Sequence, residues 1–337
     1  MIETILLGTA QDGGVPHAGC HCPTCAAAWA DPTLQQHPAC LGLVDYTAHR
    51  CWLIDATPAF PAQLHALQAL AAGTGRAIPI SARQHPDDRK GAPLPISDLR
   101  SPTPDLRLSG IFLTHAHIGH YTGLVHLGRE VMDTEQLPVY CTPRMGAFLR
   151  DNAPWSGLVE GGNIDLVELE PGRELVLSPN LRITPISVPH RDEYSDTVAY
   201  LVQGPKRSLF YCPDIDGWDD FKVSGISVIA EANLDAEELF GRISSSARHF
   251  ILADIALLDG SFFSPAELPG RDLSQIPHPL VTDTVARLTD DGVKTPTTNV
   301  YFIHLNHSNP LWREGPERAW LAGRGFKVGA FGQRWEL

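Results

Sequence analysis

Short apolar runs rich in β-branched and aromatic residues punctuate the chain: ETILLG, LGLVDY, CWLIDA, GIFLTH, LPVYCT, LRITPISVP, TVAYLVQ, SLFYCP, SVIAEA, HFILAD and NVYFIHL. Their length and composition predict strands, most of them buried on both faces. Segments with helical spacing lie between many of them, among them PAFPAQLHALQALAA, GHYTGLVHLGREVM, RMGAFLRDN and PLVTDTVARLTDD. Strands alternating with helices predict an α/β protein with mixed sheets between helical layers. No internal repeat is present, and one domain spanning residues 1–337 is expected. Residues 72–106 are rich in Pro, Gly and charge and separate two core-like elements. A connection this long and irregular is expected to be an insertion or a lid.

A chain of 337 residues with 43% hydrophobic content can bury a large core. Its 26 Lys and Arg against 39 Asp and Glu leave a net charge of −13. That balance excludes an electrostatic footprint for duplex nucleic acid and suits metal cations better than polyanions. The N-terminal MIETILLGTAQDGG has no basic region and too short an apolar run for a signal peptide, and no stretch approaches a membrane span. Seven cysteines, three of them in CHCPTC, fit reduced thiols and a metal better than a disulfide framework. The expectation is a cytoplasmic protein acting on a small-molecule or short-peptide substrate, without nucleic acid or membrane. A homodimer is kept open.

The chemistry concentrates in LTHAHIGHYTGL, where His115, His117 and His120 follow the GIF run. Residues two apart in an extended segment point the same way, so His115 and His117 can face one point beyond the strand end. His120, at the start of the next helical segment, can approach that point from the other side. Neutral imidazoles bind Zn, Mn or Fe directly, and packing rarely needs three so close. Further candidate ligands stand at other strand ends: His190 after LRITPISVP, Asp214 after SLFYCP, and His304 in NVYFIH. Asp55 in LIDA and Asp259 in LLDG are expected to accept hydrogen bonds from backbone amides or ligand imidazoles, and Asp12 in AQDGG is read the same way.

This set resembles the metallo-β-lactamase fold superfamily, whose signature is His-x-His-x-Asp-His followed by a separate His, a bridging Asp and a final His. The resemblance implies an αββα sandwich of two mixed sheets flanked by helices. It also implies one ion on His115, His117 and His190 and a second on His120 and His304, with Asp214 between them. Gly119 departs from the pattern, because the family normally carries a ligating Asp there. A weaker second site follows, and hence one or two divalent ions (Zn, Mn or Fe).

Cys20, Cys22 and Cys25 form a C-x-C-x-x-C array with room for one tetrahedral ion, whose fourth ligand must come from elsewhere. The array resembles the N-terminal motif of the pyrroloquinoline quinone biosynthesis protein B family and of the PhnP-type cyclic phosphodiesterases. In the latter, a His three positions after the last active-site His completes the cysteine site. HLNHSNP has that arrangement, which implies His304 in the active site and His307 on one structural zinc, with His278 as the competitor. Cys40, Cys51, Cys141 and Cys212 lie in or beside apolar runs and are expected in the core.

Likeness to the quinone-biosynthesis family extends through GTAQDGGVPHAGCHCPTC, LIDATPAF, LLDGSFFSPAEL and HLNHSNPLW. The resemblance implies a metal-dependent hydrolase, of a phosphodiester by analogy with the second family. Asp214 and His278 take the catalytic roles, His278 as proton donor or anion binder. The rival reading is iron-dependent oxygen chemistry in quinone cofactor biosynthesis, and a non-enzymatic zinc module is the third.

Overall fold

A computed structural model of the chain describes residues 1–73, 106–218, 253–272, 275–290 and 298–337. The first sheet collects β1 (Ile2–Gly8), β2 (Cys40–Asp45), β3 (Arg50–Ile54), β4 (Arg107–Phe112), β5 (Leu137–Cys141), β6 (Ile164–Glu168) and β14 (Arg334–Glu336). The second collects β7 (Leu175–Ser178), β8 (Leu181–Val188), β9 (Thr197–Gln203), β10 (Ser208–Cys212), β11 (Ile255–Asp259), β12 (Asn299–Ile303) and β13 (Lys327–Val328). Their strand orders are β14-β1-β2-β3-β4-β5-β6 and β13-β12-β11-β10-β9-β8-β7. Both sheets are mixed. Strands β3 to β6 pair in parallel and β1 to β3 antiparallel, while β10 to β13 pair in parallel and β7 to β10 antiparallel.

Strands covered on both faces should read as continuous apolar runs rather than alternating ones. β2 and β11 do, with every position buried. Between the sheets, Leu43, Trp52, Ile54 and Phe112 pack with Ile183, Tyr200, Tyr211 and Leu257. On the outer face of the first sheet, Phe60 and Leu67 of α2 (Phe60–Ala71) join Ile5, Leu53 and Ile111. On the outer face of the second, Val281 and Val285 of α6 (Val281–Asp290) and Leu321 of α7 (Pro316–Gly323) join Phe210, Ala256 and Phe302. The layers are therefore helix, sheet, sheet, helix: the αββα sandwich.

Two expectations change. GHYTGLVHLGREVM is not one helix but a single turn, α3 (Ile118–Tyr121), followed by a 3-10 segment over Thr122–Leu127. Gly123 explains it: its N–H bonds to the Ala56 carbonyl at 2.9 Å, and a Cβ there would meet the Thr57 carbonyl oxygen at 2.2 Å. The segment is pressed onto the loop after β3 instead of coiling freely. The strand expected at HFILAD is found further on, as β11; the beginning of HFILAD, SVIAEA and nearly all of residues 72–106 lie outside the described residues.

Candidate metal centre

Asp55, His115, His117, His120, His190, Asp214 and His304 sit just past the carboxyl ends of β3, β4, β8, β10 and β12, and Asp259 is the last residue of β11, where open α/β sheets place their ligands. Past β4, the Ala116 N–H donates to Ser195 Oγ at 2.9 Å, and His117, extended at φ −98°, caps α3. This brings His117 Nδ1 to 2.8 Å from His115 Nε2 and 3.3 Å from His190 Nε2. Tetrahedral zinc with Zn–N bonds of about 2.0–2.1 Å spaces its ligand nitrogens about 3.4 Å apart. These three nitrogens fit such an ion.

The outer nitrogens determine what the inner ones present. His190 Nδ1 donates to Asp216 at 2.9 Å, and His117 Nε2 faces Glu193 at 3.5 Å. Carboxylates only accept, so in the neutral rings the protons sit outside and lone pairs converge inside. Hydroxyls do the same work elsewhere. Thr114 Oγ1 donates to Asp55 and so accepts from His115 Nδ1 at 3.0 Å. Ser261 Oγ donates to the His304 carbonyl and accepts from His304 Nδ1 at 3.0 Å. Burial, with the neighbouring His120, pushes His115 well below the ordinary histidine range, so its ring is neutral.

A second group faces the first across Asp214. Asp214 Oδ2 lies 3.0 Å from His120 Nε2, 3.3 Å from His304 Nε2 and 3.9 Å from His115 Nε2, while its Oδ1 lies 3.7 Å from His190 Nε2. Asp214 Oδ2 and His304 Nε2 are buried without a hydrogen-bond partner among the described residues, despite their proximity. Orphaned buried polar atoms are costly, and both point at one small space. Asp55 holds His120 Nδ1 at 2.8 Å and takes the Thr114 N–H at 2.9 Å, using a left-handed backbone at φ 71°. His304 is left-handed too, at φ 59°. Such strain in non-glycine residues costs about 1–3 kcal/mol and collects at functional sites. Burial opposes charge on His120, yet Asp55, Asp214 and Asp12 push it well above the ordinary histidine range: this pocket favours positive charge.

The structure separates His278 from the cysteines. Its Nδ1 bonds Asp259 at 2.7 Å and its ring stands 5.4 Å from that of His190. Burial lowers and Asp259 more than restores its basicity, so its pKa is raised. Asp259 also takes the N–H groups of Ile215 and Ser261. Cys20, Cys22, Cys25 and His307 gather at a separate place, their ligand atoms all within 4.8 Å of one another. His307 Nδ1 lies 3.5 Å from Cys20 Sγ and 3.4 Å from Cys22 Sγ, against about 3.6 Å across a tetrahedral zinc with ordinary Zn–S and Zn–N bonds. The N–H groups of His17, Cys22 and Cys25 point at the sulfurs; against the effect of burial, bonds from the Cys25 N–H and His307 bring the Cys22 thiol down to about 6, whereas burial holds the Cys25 thiol up at about 12. Both clusters fit divalent metal. Cys40, Cys51, Cys141 and Cys212 are buried in the core.

Residues 50–232, more than half of the chain, match the model of the Beta-lactamase superfamily domain. The chain belongs to the beta-lactamase superfamily. Along its length it is similar to coenzyme PQQ synthesis protein B of Pseudomonas putida (strain W619), with 26% identity over 362 residues covering 98% of this chain and 99% of that protein. Its fold is that of Zn(2+)-bound PqqB from Methylobacterium extorquens (TM-score 0.69, 20% identity, 99% of this chain and 100% of the other). A diphosphatase of the PhnP family shares it as well (TM-score 0.60, 18% identity, 100% and 98%).

As a beta-lactamase superfamily member, the chain holds its imidazoles through groups that its sequence did not flag: Thr114, Asp216, Glu193 and Ser261. Ordinary polar residues in loops carry no spacing signal. Asp12 is the larger omission. Expected on the outer side of an imidazole, it instead stands on the inner side, 3.1 Å from His120 Nε2 and 3.5 Å from His304 Nε2.

Proposed function

We propose that the chain is a metal-dependent hydrolase of a phosphodiester. His115, His117 and His190 would hold one divalent ion, His120 and His304 take part in holding a second, and Asp214 reaches both. One observation carries this reading: outer nitrogens held by acceptors while the inner lone pairs converge on Asp214. A bound divalent ion lowers the pKa of its water from about 15.7 toward about 7 and polarises the group under attack. Asp214 orients the attacking water. His278, charged through Asp259, delivers its Nε2 proton to the leaving group. Arg191 places its guanidinium 3.4 Å from His117 Nδ1 at the exposed rim, where it can bind a phosphate anion. The unpaired cysteines support a reducing compartment, the cytoplasm.

Full-length likeness to a coenzyme PQQ synthesis protein favours a second reading, iron-dependent oxygen chemistry in quinone cofactor synthesis. Protein loaded with Zn²⁺, Mn²⁺ or Fe²⁺ distinguishes them when given bis(p-nitrophenyl) phosphate, with dissolved oxygen followed in parallel. Hydrolysis is expected, reduced more than about 100-fold in His117→Ala, since removing even a ligand's supporting partner costs about 10–100-fold. Oxygen uptake with the ester left intact contradicts the hydrolase reading.

A further inference from the structure

The superfamily motif lacks its carboxylate at Gly119, which by sequence leaves the second group of ligands one short. The space says otherwise. A Cβ built on Gly119 would lie 2.4 Å from Asp12 Oδ1, 2.7 Å from Asp12 Cγ and 2.6 Å from Asp12 Cα. Residue 119 has no room for a side chain because Asp12 already occupies it. The Asp12 carboxylate is aimed toward His120 Nε2 at 3.1 Å and His304 Nε2 at 3.5 Å, and His304 Nε2 is buried with no hydrogen-bond partner among the described residues. Asp12, His120 and His304 together offer ligand atoms within 4.8 Å of one another.

The loop that carries Asp12 is fixed to the strand end that carries His304. Gln11 N–H donates to the Leu305 carbonyl at 3.0 Å and Leu305 N–H to the Thr9 carbonyl at 2.9 Å. Further along, the same loop and the first turn of the helix after it (Pro23–Ala30) deliver the three cysteines that meet His307, three residues past His304. Two fastenings therefore hold Asp12 against this group.

We propose that Asp12, from the N-terminal loop, replaces the carboxylate missing at position 119 and binds the second ion with His120, His304 and Asp214, and that Gly119 is what admits it. The proposal rests on the dinuclear reading above. It makes the two positions reciprocal: a carboxylate at one requires a residue without a side chain at the other.

The test counts zinc per chain by plasma mass spectrometry in the intact protein, equilibrated against micromolar Zn²⁺ and desalted. Wild type is expected to hold three ions, one on the cysteines and two among the histidines. Asp12→Ala and Gly119→Ala, the second acting by collision with Asp12, are each expected to hold two, and the double variant Asp12→Gly/Gly119→Asp to hold three again. Cobalt spectra separate the sites, since the thiolate charge-transfer band of the cysteine site should stay constant throughout and show that each variant is folded. If Asp12→Ala misfolds, Asp12→Asn keeps the shape and should lose the same ion. Three ions retained in a folded Asp12 variant overturns the proposal while leaving the dinuclear centre standing. A wild type with metal on the cysteines alone removes the centre itself, and the proposal with it.

Discussion

Asp55 shows how one buried side chain decides the chemistry of another. Its carboxylate accepts from the Thr114 N–H and hydroxyl and from His120 Nδ1, which leaves His120 Nε2, facing Asp214, as the nitrogen that can give up its proton to bind an ion. Asp55→Asn keeps the volume but turns one of the two oxygens into a donor. The amide then favours the opposite tautomer, with the proton on Nε2, where a ligand nitrogen cannot carry it. We expect this variant to bind the second ion about 10–100-fold more weakly with the cysteine site unchanged, as read by competitive zinc titration. Unchanged affinity would mean that Asp55 serves folding alone. The residues that sequence could identify were those with a spacing of their own: His115, His117 and His120 by proximity, and Cys20, Cys22 and Cys25 by C-x-C-x-x-C. No spacing links Asp12 to a histidine 108 positions away, so its place among the ligands became visible only in three dimensions.

Among the elements, the strands legible in advance were the inner ones, because a strand covered on both faces is apolar at almost every position. β6, β7, β13 and β14 were not anticipated. β6 reads IDLVE and β7 LVLS, each with exposed positions, and β13 is only two residues long. Edge strands gain their structure from a neighbour rather than from their own pattern. The 3-10 segment after α3 failed as a helix for a similar reason, its glycine being needed against the Ala56–Thr57 backbone. The loop joining β1 to the cysteines and the loop after β12 act as one element, clamped by the thiols and His307. Cys22→Ser should therefore do more than lose one ion. At free zinc a thousandfold above Kd, an ion contributes about 4 kcal/mol, and its loss should lower the melting temperature and also weaken zinc binding at Asp12 and His304. Calorimetry paired with zinc titration checks both; a lowered melting temperature with unaltered affinity at the histidines would break the proposed link between the clusters.

At the scale of the whole molecule, the described residues form two seven-stranded sheets that share one apolar layer and carry the site at one edge. Loops from seven strands of both sheets, β1 included, reach this edge, so residues remote in sequence meet without any element leaving the sandwich. Alternating strands and helices made the layered fold legible, and resemblance at the histidines and cysteines indicated its superfamily. The substitution of a ligand from one loop for a ligand from another belongs to the assembled chain alone. The most direct test of the account is anomalous diffraction from crystals grown with zinc, measured on both sides of the metal's absorption edge. The account predicts density between His115 Nε2, His117 Nδ1 and His190 Nε2, a second peak between Asp12, His120, His304 and Asp214, and a third among the cysteines and His307. A filled cysteine site beside an empty space between the imidazoles would contradict it.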